Sequence, residues 1–230
     1  MTQYAISDLH GCNRTLLALL DQLAFSKADE LYLLGDYVNR GPDSKGVIDT
    51  IWRLQAEGYQ VECLMGNHES MTFRNFDTEV RTGLPQPSGS LLVESFGVQQ
   101  LSELPETYIH WMRTLPYYRE IPGYILVHAG LNFGFEDPFF SQESLIWIRD
   151  WHNQIQHDWL GDRTIIHGHT PSMRFHIEWM FDHLDSQQVL DIDCGCAITS
   201  TAEDGFGQLC AFDLSNRRLS FQKNVEERVR

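Results

Sequence analysis

The chain has 230 residues, 42% of them hydrophobic and 21% charged, which is enough to bury one sizeable core without requiring a second domain. Its 32 acidic residues against 17 basic ones give a formal net charge of -15. That balance excludes a general surface for gripping nucleic acid, so any anionic ligand must be held locally, by metals and a few placed arginines.

Met1 leads almost directly into Tyr4-Ala5-Ile6-Ser7, leaving no room for the basic and apolar parts of a secretory signal. No run approaches the roughly 20 apolar residues of a membrane span, so the expectation is a soluble, cytoplasmic protein with no membrane partner. Residues 3–6 read as a strand and 13–23 as a helix, with Asn13 as its N-cap and Leu16, Leu17, Leu20 and Leu23 as its apolar stripe. A second strand covers 30–34. Asp43 or Ser44 then caps a helix carrying Val47, Ile48, Ile51 and Leu54, Gly58 ends it, and 59–65 reads as the third strand. This alternation predicts an α/β fold with a largely parallel sheet whose loops gather at the strands' C-terminal ends.

Between about 82 and 116 the periodicity weakens and Gly83, Pro85, Pro87 and Gly89 accumulate, although 101–115 looks helical; this stretch reads as a cap or insertion. Strands resume at 124–127 and 164–166, and 189–192, 208–212 and 219–222 read as closing antiparallel strands. No internal repeat interrupts a single domain over 1–230, and only the last few residues look frayed. The five scattered cysteines, Cys12, Cys63, Cys194, Cys196 and Cys210, suit reduced buried thiols; Cys194-Gly195-Cys196 lacks the second pair a zinc site needs.

The chemistry lies in short segments that each follow an apolar run: Ser7-Asp8-Leu9-His10-Gly11, Gly35-Asp36-Tyr37-Val38-Asn39-Arg40-Gly41, Gly66-Asn67-His68-Glu69, Val127-His128-Ala129-Gly130 and His167-Gly168-His169-Thr170. Asp8 and His10 stand two positions apart, so an extended backbone turns both to one side. Asp36 follows a glycine and has two oxygens, which makes it a candidate bridge between two ions. Asn67, His128 and His169 add an amide oxygen and imidazole nitrogens, a mixed donor set that suits manganese, iron or zinc better than calcium. Two such ions can activate a water and clamp a phosphoryl group.

In this order the segments resemble the metallophosphoesterase (calcineurin-like) superfamily, and within it the branch of bacterial and phage serine/threonine phosphatases; 190–196 resembles that branch's I-D-T-G-C segment. The resemblance implies a four-layer αββα sandwich with mixed sheets and two divalent ions, manganese first among them. It implies Asp8, His10 and Asp36 on one metal, Asp36, Asn67, His128 and His169 on the other, and His68 as the acid that protonates the leaving group. Arg40, Asn67 and, less closely, Arg149 would bind phosphate. Pro171 stands where nucleases and cyclic-nucleotide phosphodiesterases of the superfamily carry a further histidine, which favours phosphomonoesters, plausibly phosphoserine or phosphothreonine on proteins, hydrolysed by a metal-bridging hydroxide. Diadenosine tetraphosphatases resemble the same branch and supply the alternative, a dinucleoside polyphosphate hydrolase. A catalytically inactive scaffold is the second alternative.

Asn39 departs from the family, which has an aspartate there to pair with the catalytic histidine; an uncharged partner implies a diminished or pH-shifted acid step. The pocket itself is expected to be positive inside a negative surface. His167 reads as a structural neighbour of the ligands, and His110, His152, His157, His176 and His183 as surface or packing residues. Trp147 and Trp151, four apart, would share one helix face in the core. Phe175, Trp179 and Phe181 fit either a pocket rim or a dimer contact, with the oligomeric state open. Apart from Asp8 and Asp36, the acidic residues read as solvated surface.

Overall fold

A computed structural model describes residues 1–87, 89–198 and 205–226. In it, strands β1 (Gln3–Ile6), β2 (Glu30–Leu33) and β3 (Gln60–Cys63) pair in parallel, with Ile6 opposite Leu33 and Leu33 opposite Cys63. Their C-terminal ends therefore finish level, and Asp8, Asp36 and Asn67 all emerge from one edge. In the second half, β4 (Tyr118–Ile121) runs antiparallel to β5 (Tyr124–Val127), which pairs in parallel with β6 (Thr164–His167). Leu126 lies opposite Ile166, so His128 and His169 leave a second edge at matching heights.

β7 (Val189–Asp191) pairs with β6 in parallel, not as the antiparallel closing strand that the sequence suggested; β8 (Gln208–Asp213) and β9 (Arg218–Lys223) do close antiparallel, against β1 and each other. The sheets are β3-β2-β1-β8-β9 and β4-β5-β6-β7. β4, with the pattern Tyr-Arg-Glu-Ile, is a half-exposed edge strand whose polar residues hid it from a hydrophobicity reading. The frayed C-terminus expected from the sequence falls largely on 227–230, outside the described residues.

Helices occupy the outer faces. α1 (Asn13–Gln22) and α2 (Ser44–Ala56) turn Leu16, Leu19, Val47, Ile48 and Ile51 onto the first sheet's Ile6, Leu31 and Leu33. Asp43 caps α2 by accepting from the Gly46 N–H at 2.8 Å. Cys12 occupies the N-cap of α1 instead of Asn13, whose side chain bridges Asp43 and Thr50; Leu17, at 39% exposure, has left the expected stripe to Leu19. α3 (Asn67–Thr82) ends at Gly83 in the left-handed conformation, and α4 (Ser90–Phe96) and α5 (Glu106–Thr114) follow. The 101–115 helix is thus divided: Pro105 separates a short 3-10 turn at Leu101–Glu103 from α5.

The chain then adds α6 (Gln142–Trp147), α7 (His157–Leu160), α8 (Arg174–Asp182) and α9 (Leu184–Gln187). Ile177 and Met180 of α8 pack on the second sheet. Between the sheets, Ala5, Tyr32, Leu34, Cys210 and Phe212 meet side chains of β5, β6 and β7, which completes an αββα sandwich in one domain. All five cysteines are buried and free, as their scatter predicted. No helix among the described residues is long and apolar enough to cross a membrane.

Phe212 is fully buried at the meeting of the two sheets, edge-on to Tyr124 and Phe181. Phe212→Ala is expected to cost roughly 3–5 kcal/mol and to lower Tm by roughly 6–20 °C in a calorimetric scan.

Candidate metal centre

The backbone is unusual where the chemistry sits. Asp8, His10, Asp36, Asn39, Arg40 and His169 all have positive φ, between 44° and 75°. Each non-glycine residue there costs on the order of 1 kcal/mol, so such a concentration marks a place where the surrounding structure imposes the conformation. Gly35 and Gly66 make the crossing possible, because a Cβ on Gly35 would lie 2.7 Å from the Gly66 backbone and one on Gly66 only 2.3 Å from Asp36.

Asp36 stands at the centre. Its Oδ2 lies 3.4 Å from His10 Nε2 and 3.9 Å from His68 Nε2, while its Oδ1 lies 3.5 Å from His128 Nε2. Asp8 Oδ1 approaches His10 Nε2 at 3.9 Å, and Asp8 Oδ2 accepts from the His169 N–H at 3.0 Å. Asn67 Oδ1 lies 3.0 Å from both His128 Nε2 and His169 Nδ1. The structure therefore brings Asp8, His10, Asp36, Asn67, His128 and His169 into one buried cluster. Donor atoms of His10, Asp36 and His68, and separately of Asp36, His128 and His169, come within 4.8 Å of one another.

Hydrogen bonding fixes which way the rings present themselves. His10 Nδ1 donates to the Val38 carbonyl and His128 Nδ1 to the Leu34 carbonyl, each at 3.0 Å. A carbonyl only accepts, so each neutral ring aims its Nε2 lone pair inward. On His128 that lone pair faces two more electron-rich atoms, Asn67 Oδ1 and Asp36 Oδ1. A proton or a cation makes this favourable, and burial disfavours a proton on the rings: it pushes His128 below the usual imidazole range and takes His10 and His169 to about 3. Asp8 Oδ1, His10 Nε2 and His169 Nε2 are also buried without a hydrogen-bond partner among the described residues. Asp36 is pushed well above the usual carboxylate range by burial and then by Asp8. Divalent ions answer all of these mismatches, so the residues present fit such a centre.

Glu69 escaped the sequence reading of acidic residues as surface. Fully buried, it accepts from the N–H groups of Asp36 at 2.9 Å, Tyr37 at 2.8 Å, Val38 at 3.2 Å and Gly66 at 3.2 Å, clamping the Asp36 loop to the start of α3. Burial and then Asp36 raise its carboxyl to about 8. A glutamate three residues into a helix was the available signal. Asp191 and Asp193 are buried too, tied to Ser172 Oγ and to the Gly195 N–H.

The remaining site residues scatter more. Arg40 Nη2 lies 3.4 Å from His68 Nε2, whereas Arg149 is exposed at the rim, donating to Thr170 Oγ1 at 2.7 Å. Asn39 makes no side-chain hydrogen bond to His68 and instead turns toward Gly89; His68 Nδ1 has no partner among the described residues. Trp147 and Trp151 do not share a helix face, because α6 ends at Trp147. Trp151 is buried, and Trp147, 37% exposed, stands edge-on to His169. His167 and His152 pair at 2.8 Å behind the site.

Saturating Mn²⁺, at about a hundred times its dissociation constant, is expected to raise the Tm of chelator-treated protein by roughly 5–10 °C. Asp36→Asn should abolish most of that gain and lower the bound metal measured by elemental analysis.

Comparison with known proteins identifies the family. A family model described as calcineurin-like phosphoesterase matches residues 1–193. A symmetrical bis(5'-nucleosyl)-tetraphosphatase from Nitrosomonas europaea is 36% identical over 132 residues, 57% of this chain and 45% of the relative, so the chain matches under half of that protein's length. Among solved structures, one provisionally assigned as a diadenosine tetraphosphatase superposes with a TM-score of 0.67 at 19% identity, covering 98% of this chain and 95% of that one. A serine/threonine phosphatase from Saccharomyces cerevisiae also reaches 0.67, at 15% identity, covering 100% of this chain and 82% of that one; at such identities both show the fold alone. The expectation of a phosphomonoesterase of the serine/threonine phosphatase type is overturned by the naming of the sequence relatives, which favours the dinucleoside polyphosphate alternative. From the ordered motifs, the two-sheet sandwich and the family model together, the chain belongs to the calcineurin-like phosphoesterase family.

Proposed function

We propose that the chain hydrolyses bis(5'-nucleosyl) tetraphosphates symmetrically, at a centre of two divalent ions held by Asp8, His10 and Asp36 on one side and by Asp36, Asn67, His128 and His169 on the other. Bound there, such ions neutralise phosphoryl oxygens and acidify a water; manganese suits the mixed donor set, with iron and zinc also compatible. Water adds to one of the two central phosphorus atoms, the bridging P–O bond breaks, and two nucleoside diphosphates leave. Arg40, beside His68, binds oxygens of the polyphosphate, Asn67 adds a contact from the start of α3, and Arg149 meets the chain of phosphates at the rim. The N-terminus of α3 favours negative charge at the same place.

The names of the sequence relatives carry this reading, and the surroundings of His68 agree with it. Its Nε2 lies 3.4 Å from the Arg40 guanidinium, which only donates, and this favours the tautomer with the proton on Nδ1, where no partner stands among the described residues. Burial, His10 and Arg40 lower the ring to about 3, leaving it neutral at pH 7. Such a ring is a poor acid for an alkoxide, as a serine phosphate would require. A departing diphosphate needs no such help, because a phosphate's own pKa is about 6. Neutral His68 instead holds Arg40 in place. The names of the sequence relatives support the same substrate class.

With Mn²⁺ present, diadenosine tetraphosphate is expected to yield only adenosine diphosphate by chromatography, with a kcat/KM at least about a hundred times that for a phosphoserine peptide; a preference for the peptide overturns the proposal. Metal-free, inert protein would support the scaffold reading instead. Asn39→Asp restores the carboxylate that the family resemblance pairs with the catalytic histidine and is expected to raise peptide hydrolysis about tenfold while changing tetraphosphate hydrolysis by less than about twofold.

A further inference from the structure

A cleft of about 450 Å³ opens beside Arg40 and His68, between α3 and the segment that leads into α4. Its α3 wall is His68, Met71, Thr72 and Asn75, spaced i, i+3, i+4 and i+7, so these side chains form one stripe leading away from the candidate metal centre. From His68 to Asn75 the helix rises about 10 Å, the length of a nucleoside from its 5' oxygen to the far edge of its base. Leu91 faces the stripe from the other side, and buried Leu92 and Leu101 form the floor. At the far end Asn75 Nδ2 donates to the Pro87 carbonyl at 2.9 Å, which ties the two walls together and leaves the amide oxygen as an acceptor. The mouth is shaped by Gly89, where a Cβ would come within 2.8 Å of Asn39 Oδ1.

Resting on the reading of the site as a tetraphosphatase, we propose that this cleft is the subsite for one nucleoside of the substrate, with the base between Met71 and Leu91 and its polar edge toward Asn75. Charge is met at one end only, by Arg40; the rest is an apolar slot with amide and hydroxyl groups along it, the lining expected for a base and ribose. Among the described lining residues Arg40 is the one that carries a full charge. The stripe from His68 to Asn75 is one nucleoside long, so the second nucleoside lies on the opposite side of the centre. The 82–116 insertion, which supplies Pro87, Gly89, Leu91 and Leu101, is thereby the element that sets substrate class.

The wild-type test uses inhibition of 4-nitrophenyl phosphate hydrolysis under Mn²⁺. Adenosine diphosphate is expected to inhibit at least about tenfold more tightly than inorganic pyrophosphate, the discrimination that apolar contacts in a pocket provide. Equal inhibition by the two overturns the nucleoside subsite. Leu91→Trp, at a half-buried position, fills the slot and should lower the ratio of kcat/KM for diadenosine tetraphosphate to that for 4-nitrophenyl phosphate by at least about tenfold, chiefly through KM. A ratio preserved within about twofold also overturns it. Absence of tetraphosphate hydrolysis in the wild type, with tight diphosphate inhibition retained, would sink the proposed reaction and leave the nucleoside subsite standing.

Discussion

The carboxylate of Asp36 faces imidazole nitrogens from both halves of the chain, one oxygen 3.4 Å from His10 and the other 3.5 Å from His128. Everything around the site serves to keep that buried group where it is. Glu69 gathers the N–H groups of three successive residues beginning at Asp36, and the His68 N–H adds a bond of 3.0 Å to the carboxylate itself. Left alone, Asp8 and Asp36 in a dry pocket repel one another, and burial drives Asp36 toward its neutral form. Cations reverse the sign of that interaction, so the same packing that disfavours the metal-free carboxylates favours binding of the ions.

Most of the sandwich was legible because hydrophobic periodicity and in-register parallel pairing act locally. Gln3–Ile6 and Tyr124–Val127 match their expected ranges, and the motif segments leave the strand ends as anticipated. What the sequence hid depends on three-dimensional context. β4 is polar because it is an edge, and β7 is parallel because the connection from β6 passes over the sheet through α8. Glu69, Asp191 and Asp193 carry the composition of a solvated surface but are buried, since their partners are backbone N–H groups or a distant serine, which leave no mark in a linear pattern.

The substrate was the harder inference, and the reason is chemical. Motifs for two metals and a phosphate arginine serve an ester and an anhydride equally well, because the difference lies in how basic the departing oxygen is. That difference is felt at His68 and position 39. The pattern of ligands cannot express it, and the names of the sequence relatives supply what that pattern lacks.

One further consequence follows from how far apart in sequence the inward-facing groups lie. The His169 amide bonds to Asp8 across 161 residues, and His10, Asp36, Asn67 and His128 are distributed between them. Asp8, His10 and Asp36 lie within the first 36 residues, whereas the donor set as a whole exists only once the chain has folded through residue 169.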